Sequence, residues 1–171
     1  MDVYLNEWQS VSYKKKSLLT KEGETQLYLY FVTKGIQKSY YLHDGKEHII
    51  AFTYAPSFTG IPESFMNQIP SKCFLETITE SEFLRISYDK HQQFLKEYRP
   101  LETLFRRGVE ILLAGIIDRH IELMAFDIET RFKSFMKRRP HLLNQVSQKD
   151  LASYLRINPT NFSKLLAKVK I

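Results

Sequence analysis

The sequence predicts an α+β fold in which an antiparallel β unit precedes a series of helices. Up to about residue 87, short runs rich in Tyr, Phe, Ile, Val and Thr are interrupted by Gly, Asp and Pro, which is typical of closely spaced strands. Beyond residue 89, apolar residues recur at intervals of three and four, which indicates helices. With 171 residues, 43% of them hydrophobic, the chain can bury one good core and carry a small second module.

Six strands are predicted, and strands spaced this closely form a barrel, a roll or a sandwich. They cover residues 17–19, 27–33, 36–42, 47–54, 72–79 and 82–87. The chain is expected to open almost directly on this β unit. Asp44-Gly45 is a strong signal for a two-residue hairpin, and Glu22-Gly23 and Lys34-Gly35 are weaker signals of the same kind.

The remaining segments predict helices. Residues 55–69, which contain two prolines and Gly60, break the strand pattern and predict one helical turn near 63–67. A short helix over 90–98, a long helix over 101–124 and a third over 126–139 follow. Pro100 marks the start of the long helix, and Pro140 ends the third.

The long helix carries a stripe of apolar and small residues that predicts a helix–helix seam. The stripe consists of Leu101, Leu104, Gly108, Ile111 and Gly115. Because glycine costs about 1 kcal/mol in a helix interior, two glycines on one stripe indicate close approach of another backbone or a ligand. Packing of the helix on its own β unit is the alternative, and both arrangements can hold on different faces.

Two short amphipathic helices with a tight corner between them follow residue 146, which is the pattern of a helix-turn-helix. Ser147 and Asp150 predict the cap of the first helix, and Asn158-Pro159 predicts the start of the second. The residues expected to be buried are Leu151, Ala152, Leu155, Ile157, Phe162, Leu165 and Val169. Those expected to face outward are Thr160, Asn161, Ser163, Lys164 and Lys168. An ordinary helical hairpin on a core is the alternative.

Charge favours DNA as the partner of this segment. From Arg131 to the end the chain has ten Lys or Arg and one acid, Asp150, a net charge of +9, whereas the whole chain carries +6, so residues 1–130 carry −3. A basic end on a mildly acidic body suits the neutralisation of phosphates. Lys164 is placed to read bases, whereas Lys149, Arg156 and Lys168 are placed to meet phosphates.

The order of several segments supports this interpretation. These segments are 18–24, 29–35, 43–47, 58–60 with 63–65, 84–87 and 146–168. With them, the chain resembles the Crp/Fnr family of bacterial transcription regulators over nearly its whole length. The resemblance implies an N-terminal β-roll (double-stranded β-helix or jelly-roll-like) over 1–99 as the cyclic-nucleotide-binding-like sensor. It further implies a dimerisation helix over 100–125 and a helix-turn-helix DNA-binding domain over 126–171, without an evident wing.

The resemblance also implies partners and sites. The expected partners are double-stranded DNA, a second copy of the chain and RNA polymerase. The residues expected at DNA are Gln148, Lys149, Arg156, Asn158, Pro159, Thr160, Asn161, Ser163, Lys164 and Lys168. Those expected around an effector in the roll are Gly60, Ile61, Glu63, Ser64, Phe65, Ser71 and Lys72.

Two departures from the family pattern matter. Members that bind cyclic nucleotides have a Glu after the cassette glycine and an Arg about ten residues later, but here Ile61 follows Gly60 and the Arg position falls at Ser71 or Lys72. Ile61 accepts no hydrogen bond and Lys72 lacks the bidentate fork, so cyclic AMP is not expected as the effector. Glu63 could substitute after a shift of register. In the helix-turn-helix, Arg156 stands where a left-handed glycine is usual, so the turn is either strained or built differently.

Other classes find no support in the sequence. Cys73 is the single cysteine, so an internal disulfide or a multi-cysteine iron–sulfur or zinc site is excluded, and a buried apolar role is expected. The histidines His43, His48, His91, His120 and His141 are scattered, and no metal or haem site is expected. No catalytic constellation, long apolar span or leader emerges, which predicts a non-enzymatic cytoplasmic protein away from membranes.

The sequence therefore predicts a homodimeric transcription regulator that binds a near-palindromic DNA site under the control of an unidentified effector. The alternative is a β-roll module that binds an effector or a protein and has little or no affinity for DNA.

Overall fold

Two four-stranded antiparallel sheets form a β-roll that is followed by helices, so the predicted α+β class is confirmed. The structure, a computed structural model, describes residues 2–168, without the side chain of Asp2. Val169, predicted to be buried, lies outside these residues. The strands are β1 Gln9–Tyr13, β2 Leu18–Thr20, β3 Tyr28–Lys34, β4 Ile36–His43, β5 Lys46–Tyr54, β6 Ser57–Thr59, β7 Phe74–Thr77 and β8 Ser81–Ser87.

One sheet has the strand order β1-β8-β3-β6 and the other β2-β7-β4-β5. All six predicted strands are present. Sequence reasoning missed β1 and the three-residue β6, because both are short and mostly polar or exposed on one face. Alternation places Tyr30, Val32 and Phe83 in the core of the roll, where all three are buried.

Only one of the three predicted hairpins is formed. β4 and β5 pair through His43 and Lys46, and both turn residues, Asp44 and Gly45, have positive φ angles of 50° and 69°. The Lys34-Gly35 hairpin is wrong, because β3 and β4 belong to different sheets and Gly35 carries the chain between them. The Glu22-Gly23 hairpin is wrong for the same reason, since β2 and β3 also lie in different sheets.

The helices of the roll are α1 Asp2–Asn6, α2 Pro62–Asn67 and α3 Tyr88–Glu97. Helix α2 confirms the predicted turn, whereas α1 corrects the expectation that the chain opens almost directly on the roll. Tyr4 of α1 packs on α3, and its hydroxyl lies 2.8 Å from His91 Nδ1. Burial lowers the pKa of His91 to about 4, so this ring is neutral at neutral pH and serves as a core residue.

The C-terminal helices are α4 Arg99–Ala125, α5 Ile128–Arg138, the 3₁₀ turn Pro140–Asn144, α6 Gln148–Leu155 and α7 Pro159–Lys168. All predicted helices are present. Residues up to Leu101 form one compact unit, and residues from Glu102 form a second. The core of the second unit contains the fully buried residues Phe132, Phe135, Leu142, Leu151 and Phe162.

Candidate DNA-binding and effector sites

Both helices of the helix-turn-helix begin at the caps that the sequence predicts. Ser147 Oγ accepts a hydrogen bond from the backbone N–H of Asp150 at 3.1 Å, and Asn158 Oδ1 accepts one from Thr160 N–H at 2.9 Å. Leu151, Ala152, Leu155, Ile157, Phe162 and Leu165 are buried as predicted. Tyr154, which sequence reasoning left out, is buried as well.

The ten residues expected at DNA lie on α6, the turn and α7, and all of them are exposed. Four of them are basic, namely Lys149, Arg156, Lys164 and Lys168, and none is acidic. The Ser163 hydroxyl already has partners within the chain, since it donates to the Pro159 carbonyl at 3.1 Å and lies 3.4 Å from Gln148 Oε1. Lys149 and Lys164 form no ion pair with any described residue, so their charges are available to an outside partner.

Several basic residues counted in the sequence as charge for DNA have partners within the chain. Arg138 pairs with Glu122 of α4 at 2.7 Å, and Lys133 pairs with Glu129 at 2.6 Å. Arg131 and Arg139 donate hydrogen bonds to residues at the C-terminal end of α6. The net charge of this segment is therefore larger than the positive charge that is exposed to solvent and has no partner within the chain.

Three arginines meet at the C-terminal end of α6, and we call them the arginine cluster: Arg119 of α4, Arg131 of α5 and Arg139 directly after α5. Arg119 Nη2 donates to the Tyr154 carbonyl at 2.9 Å. Arg131 Nε donates to the Leu155 carbonyl at 3.1 Å, and Arg139 Nη1 donates to the Tyr154 hydroxyl at 2.8 Å. The bonds of Arg119 and Arg131 satisfy carbonyls that a helix end leaves without intrahelical partners.

Of the three arginines in the cluster, Arg119 is the one that sequence reasoning did not single out. Its guanidinium lies 4.0 Å from the centre of the Tyr154 ring, and burial lowers its pKa. The signal in the sequence was the charged run Asp118-Arg119-His120, which interrupts a mostly apolar stretch of the long helix. A helical period alone does not say which charge of such a run turns inward.

The turn residue Arg156 adopts the left-handed conformation, with φ 52° and ψ 46°. The turn therefore has the usual backbone geometry of a helix C-cap with a non-glycine residue in it. Its carbonyl accepts a hydrogen bond from Arg131 Nη2 at 3.3 Å, and its side chain is exposed. Of the two possibilities that the sequence left open, strain is the one that the structure supports.

The residues expected around an effector lie in or near α2, and the side chains of four of them bond to other groups of the chain. Ser64 is fully buried, and its hydroxyl donates to the Ile69 carbonyl at 2.6 Å. Ser71 is also buried and bonds both backbone groups of Cys73. Lys72 forms an exposed ion pair with Glu63 at 3.2 Å. Cys73 itself is half-buried rather than fully buried as expected.

Gln26, which the sequence did not single out, ties this region together. Its side chain is 2% exposed, and Oε1 accepts hydrogen bonds from Ile61 N–H at 2.7 Å and from Thr20 Oγ1 at 3.1 Å. Nε2 donates to the Tyr28 carbonyl at 2.9 Å. A Cβ at Gly60 would lie 2.3 Å from Nε2, so only glycine leaves room for this carboxamide.

Helix α4 presents apolar side chains to solvent along most of its length in the second unit. Ile111 and Met124 are each 74% exposed. Leu104, Leu113, Ile116, Ile117 and Ile121 are at least half exposed. Nothing lies within 4 Å of a Cβ placed at Gly108 or Gly115. Leu101 differs from the other seam residues, because it is only 5% exposed and belongs to the first unit.

Two negative findings apply to the part of the chain that the structure describes. No helix there combines the length and the apolar composition needed to cross a membrane. No three His, Cys, Asp or Glu residues among 2–168 come close enough together to hold a metal ion.

Comparison with known proteins identifies the roll. The model of the cyclic nucleotide-binding domain matches residues 10–98, more than half of the chain. The chain therefore belongs to the cyclic nucleotide-binding domain family. No curated protein matches the sequence.

Solved structures extend the likeness to the whole chain. FixK2 from Bradyrhizobium japonicum has a TM-score of 0.82 at 19% identity, with 94% of this chain and 83% of that chain covered. The c-di-GMP responsive global regulator CLP from Xanthomonas campestris has a TM-score of 0.71 at 19% identity, with 98% and 88% covered. The catabolite activator protein of Thermus thermophilus has 0.60 at 17%, with 98% and 80% covered. The fold is thus that of Crp/Fnr regulator structures.

The left-handed Arg156 generates a prediction about stability. Arg156→Gly is expected to raise the free energy of unfolding by about 1 kcal/mol, because glycine adopts this conformation without the Cβ clash. Urea denaturation of the full chain measures the change. Lys164→Gly, placed in the right-handed interior of α7, is the matched control and is expected to lower it by about 1 kcal/mol. A loss of stability in Arg156→Gly would show that the arginine side chain contributes more than the strain costs.

Proposed function

We propose that this protein is a DNA-binding transcription regulator of the Crp/Fnr type. It binds a near-palindromic site as a homodimer through α6 and α7, under the control of an effector in the β-roll. The observation that carries the proposal is the exposed basic surface on two correctly capped helices, with Lys149 and Lys164 unpaired among the described residues. A non-enzymatic role agrees with the fold, which is shared with regulators.

The competing proposal is a β-roll module without DNA affinity. It is favoured by the bonds of Arg131, Arg138 and Arg139 within the chain, which leave fewer guanidinium donors available for phosphates. Binding to a labelled duplex at increasing salt separates the two. A regulator loses affinity steeply as salt rises, since each phosphate contact releases counterions.

The proposed dimer uses the exposed apolar face of α4. A helix with apolar residues around most of its surface is normally buried, and a second copy of α4 would cover this face. Gly108 and Gly115 have open space where a partner backbone could approach closely. The seam is then formed by Leu104, Gly108, Ile111 and Gly115, while Leu101 stays in the core of its own roll.

Ile111→Glu is expected to convert the dimer into the 20.3 kDa monomer at micromolar concentration, because it buries an unpaired carboxylate in the seam. Sedimentation velocity measures the mass. Ile50→Glu, which changes an exposed isoleucine on β5 of the roll, is the control and is expected to stay dimeric. A wild-type chain that sediments as a monomer would overturn the dimer itself.

For the effector, we propose a ligand other than cyclic AMP. Ile61 and Ser71 lack the groups that would hold a ribose and a cyclic phosphate, and Lys72 is paired with Glu63. The Gln26 side chain already accepts the hydrogen bond that the Ile61 N–H can donate. The c-di-GMP responsive regulator of similar fold suits the idea that this fold serves more than one ligand.

Calorimetric titration of the full chain with cyclic AMP is therefore expected to give no binding in the micromolar range. The missing charge-assisted contacts to phosphate are among the strongest such a site can make. Micromolar affinity together with a matching rise in melting temperature would overturn this proposal.

Two lysines of α7 are expected to act differently on DNA. The probe is a duplex selected from a random library by the wild-type chain, compared with its scrambled version. Lys164→Ala should lower the preference for the selected duplex at one base position per half-site, by about 1–3 kcal/mol. Lys168→Ala should weaken both duplexes alike and reduce the salt slope by about one per subunit, which is about two for the dimer. Equal losses on both duplexes in both variants would show that Lys164 does not read a base.

A further inference from the structure

The arginine cluster contains one link that differs from the others. Arg131 and Arg139 belong to the segment next to α6 in sequence, so their bonds hold α5 and α6 together. Arg119 comes from α4, and it reaches the Tyr154 carbonyl and ring at the end of α6. It lies eight residues beyond Ile111 on the same continuous helix. Arg119 thus joins the exposed apolar helix directly to the helix-turn-helix.

The position of Tyr154 makes this link effective. Tyr154 lies one residue before the end of α6, and the left-handed turn at Arg156 follows immediately. Helix α7 begins three residues later, at Pro159, and its Phe162 and Leu165 are buried. Holding the end of α6 therefore holds the start of α7, where Thr160 and Lys164 are exposed.

We propose that Arg119 is the positioning residue that fixes α7 relative to α4, and hence sets the separation of the two recognition helices in the dimer. This inference rests on the proposed function. Paired recognition helices must match half-sites about 34 Å apart, one turn of DNA. A loosened link therefore weakens binding to a full site more than binding to a single half-site.

Most of the contacts that hold the second unit together do not involve Arg119. The core of Phe132, Phe135, Leu151 and Phe162 remains, as do the bonds of Arg131 and Arg139 to α6. The ion pair between Glu122 and Arg138 still connects α4 to α5. Loss of Arg119 should consequently leave a folded helix-turn-helix whose orientation is less well defined.

The test uses the full chain and two duplexes: the symmetric one selected by the wild type, and the same duplex with one half scrambled. Arg119→Met should lower affinity for the symmetric duplex by about tenfold and leave affinity for the single half-site within about twofold. Arg119→Lys should behave like Arg119→Met, because lysine keeps the charge but lacks the planar fork and the ring stacking. Arg107→Met, at an exposed arginine of the same helix, should change neither affinity.

Equal losses on both duplexes would show that Arg119 only stabilises the fold, and wild-type affinity in Arg119→Lys would show that only its charge matters; either result overturns the proposal. Absence of binding by the wild type would refute the proposed function instead.

The link is then tested by spin labels at Arg107→Cys and Asn161→Cys in a Cys73→Ser background, diluted with unlabelled chain. A broader distance distribution in Arg119→Met supports the proposal, and an unchanged one overturns it.

Discussion

The carbonyl groups at the end of α6 impose the constraint on which the second unit depends. A helix end that is buried without partners for its carbonyls is costly, and here the following residue turns left-handed at once, so the helix cannot supply more partners itself. Guanidinium groups from Arg119 and Arg131 supply them. Because these donors come from two different helices, satisfying the backbone also fixes how three helices lie together.

This use of arginine changes how the charge of the chain should be understood. The excess of positive charge after residue 131 predicts a nucleic-acid surface, but part of it serves as hydrogen-bond donors within the protein. Apart from Lys137 of α5, the exposed basic residues of this segment that form no ion pair among the described residues lie on α6, the turn and α7, with Lys149 and Lys164 as examples. The surface is thus smaller than the sequence count implies, and it is concentrated on the helices that the proposal assigns to DNA.

Local signals explain what could be predicted from the sequence. The caps at Ser147 and Asn158, the Asp44-Gly45 turn and the helical periods depend on neighbouring residues, and the structure confirms them. The wrong hairpins at Gly23 and Gly35 have glycines with positive φ, as a turn requires, but the choice of partner strand is set by long-range packing. Gln26 and Arg119 were missed for the same reason, since each has a partner 35 residues away in the chain, Ile61 for Gln26 and Tyr154 for Arg119. The roles of the exposed residues at DNA and at an effector remain predictions.

The Gln26 carboxamide accepts the hydrogen bond of the Ile61 N–H, so a ligand that binds this N–H must first displace Gln26. A small ligand that offered a single acceptor there would exchange one hydrogen bond for another and gain little, because the resident group is tethered and already desolvated. Net affinity must therefore come from additional contacts that Gln26 does not make, which favours large ligands over small anions. Selection against abundant inorganic ions would then be a property of the roll's own hydrogen bonds, achieved without any group that repels such ions.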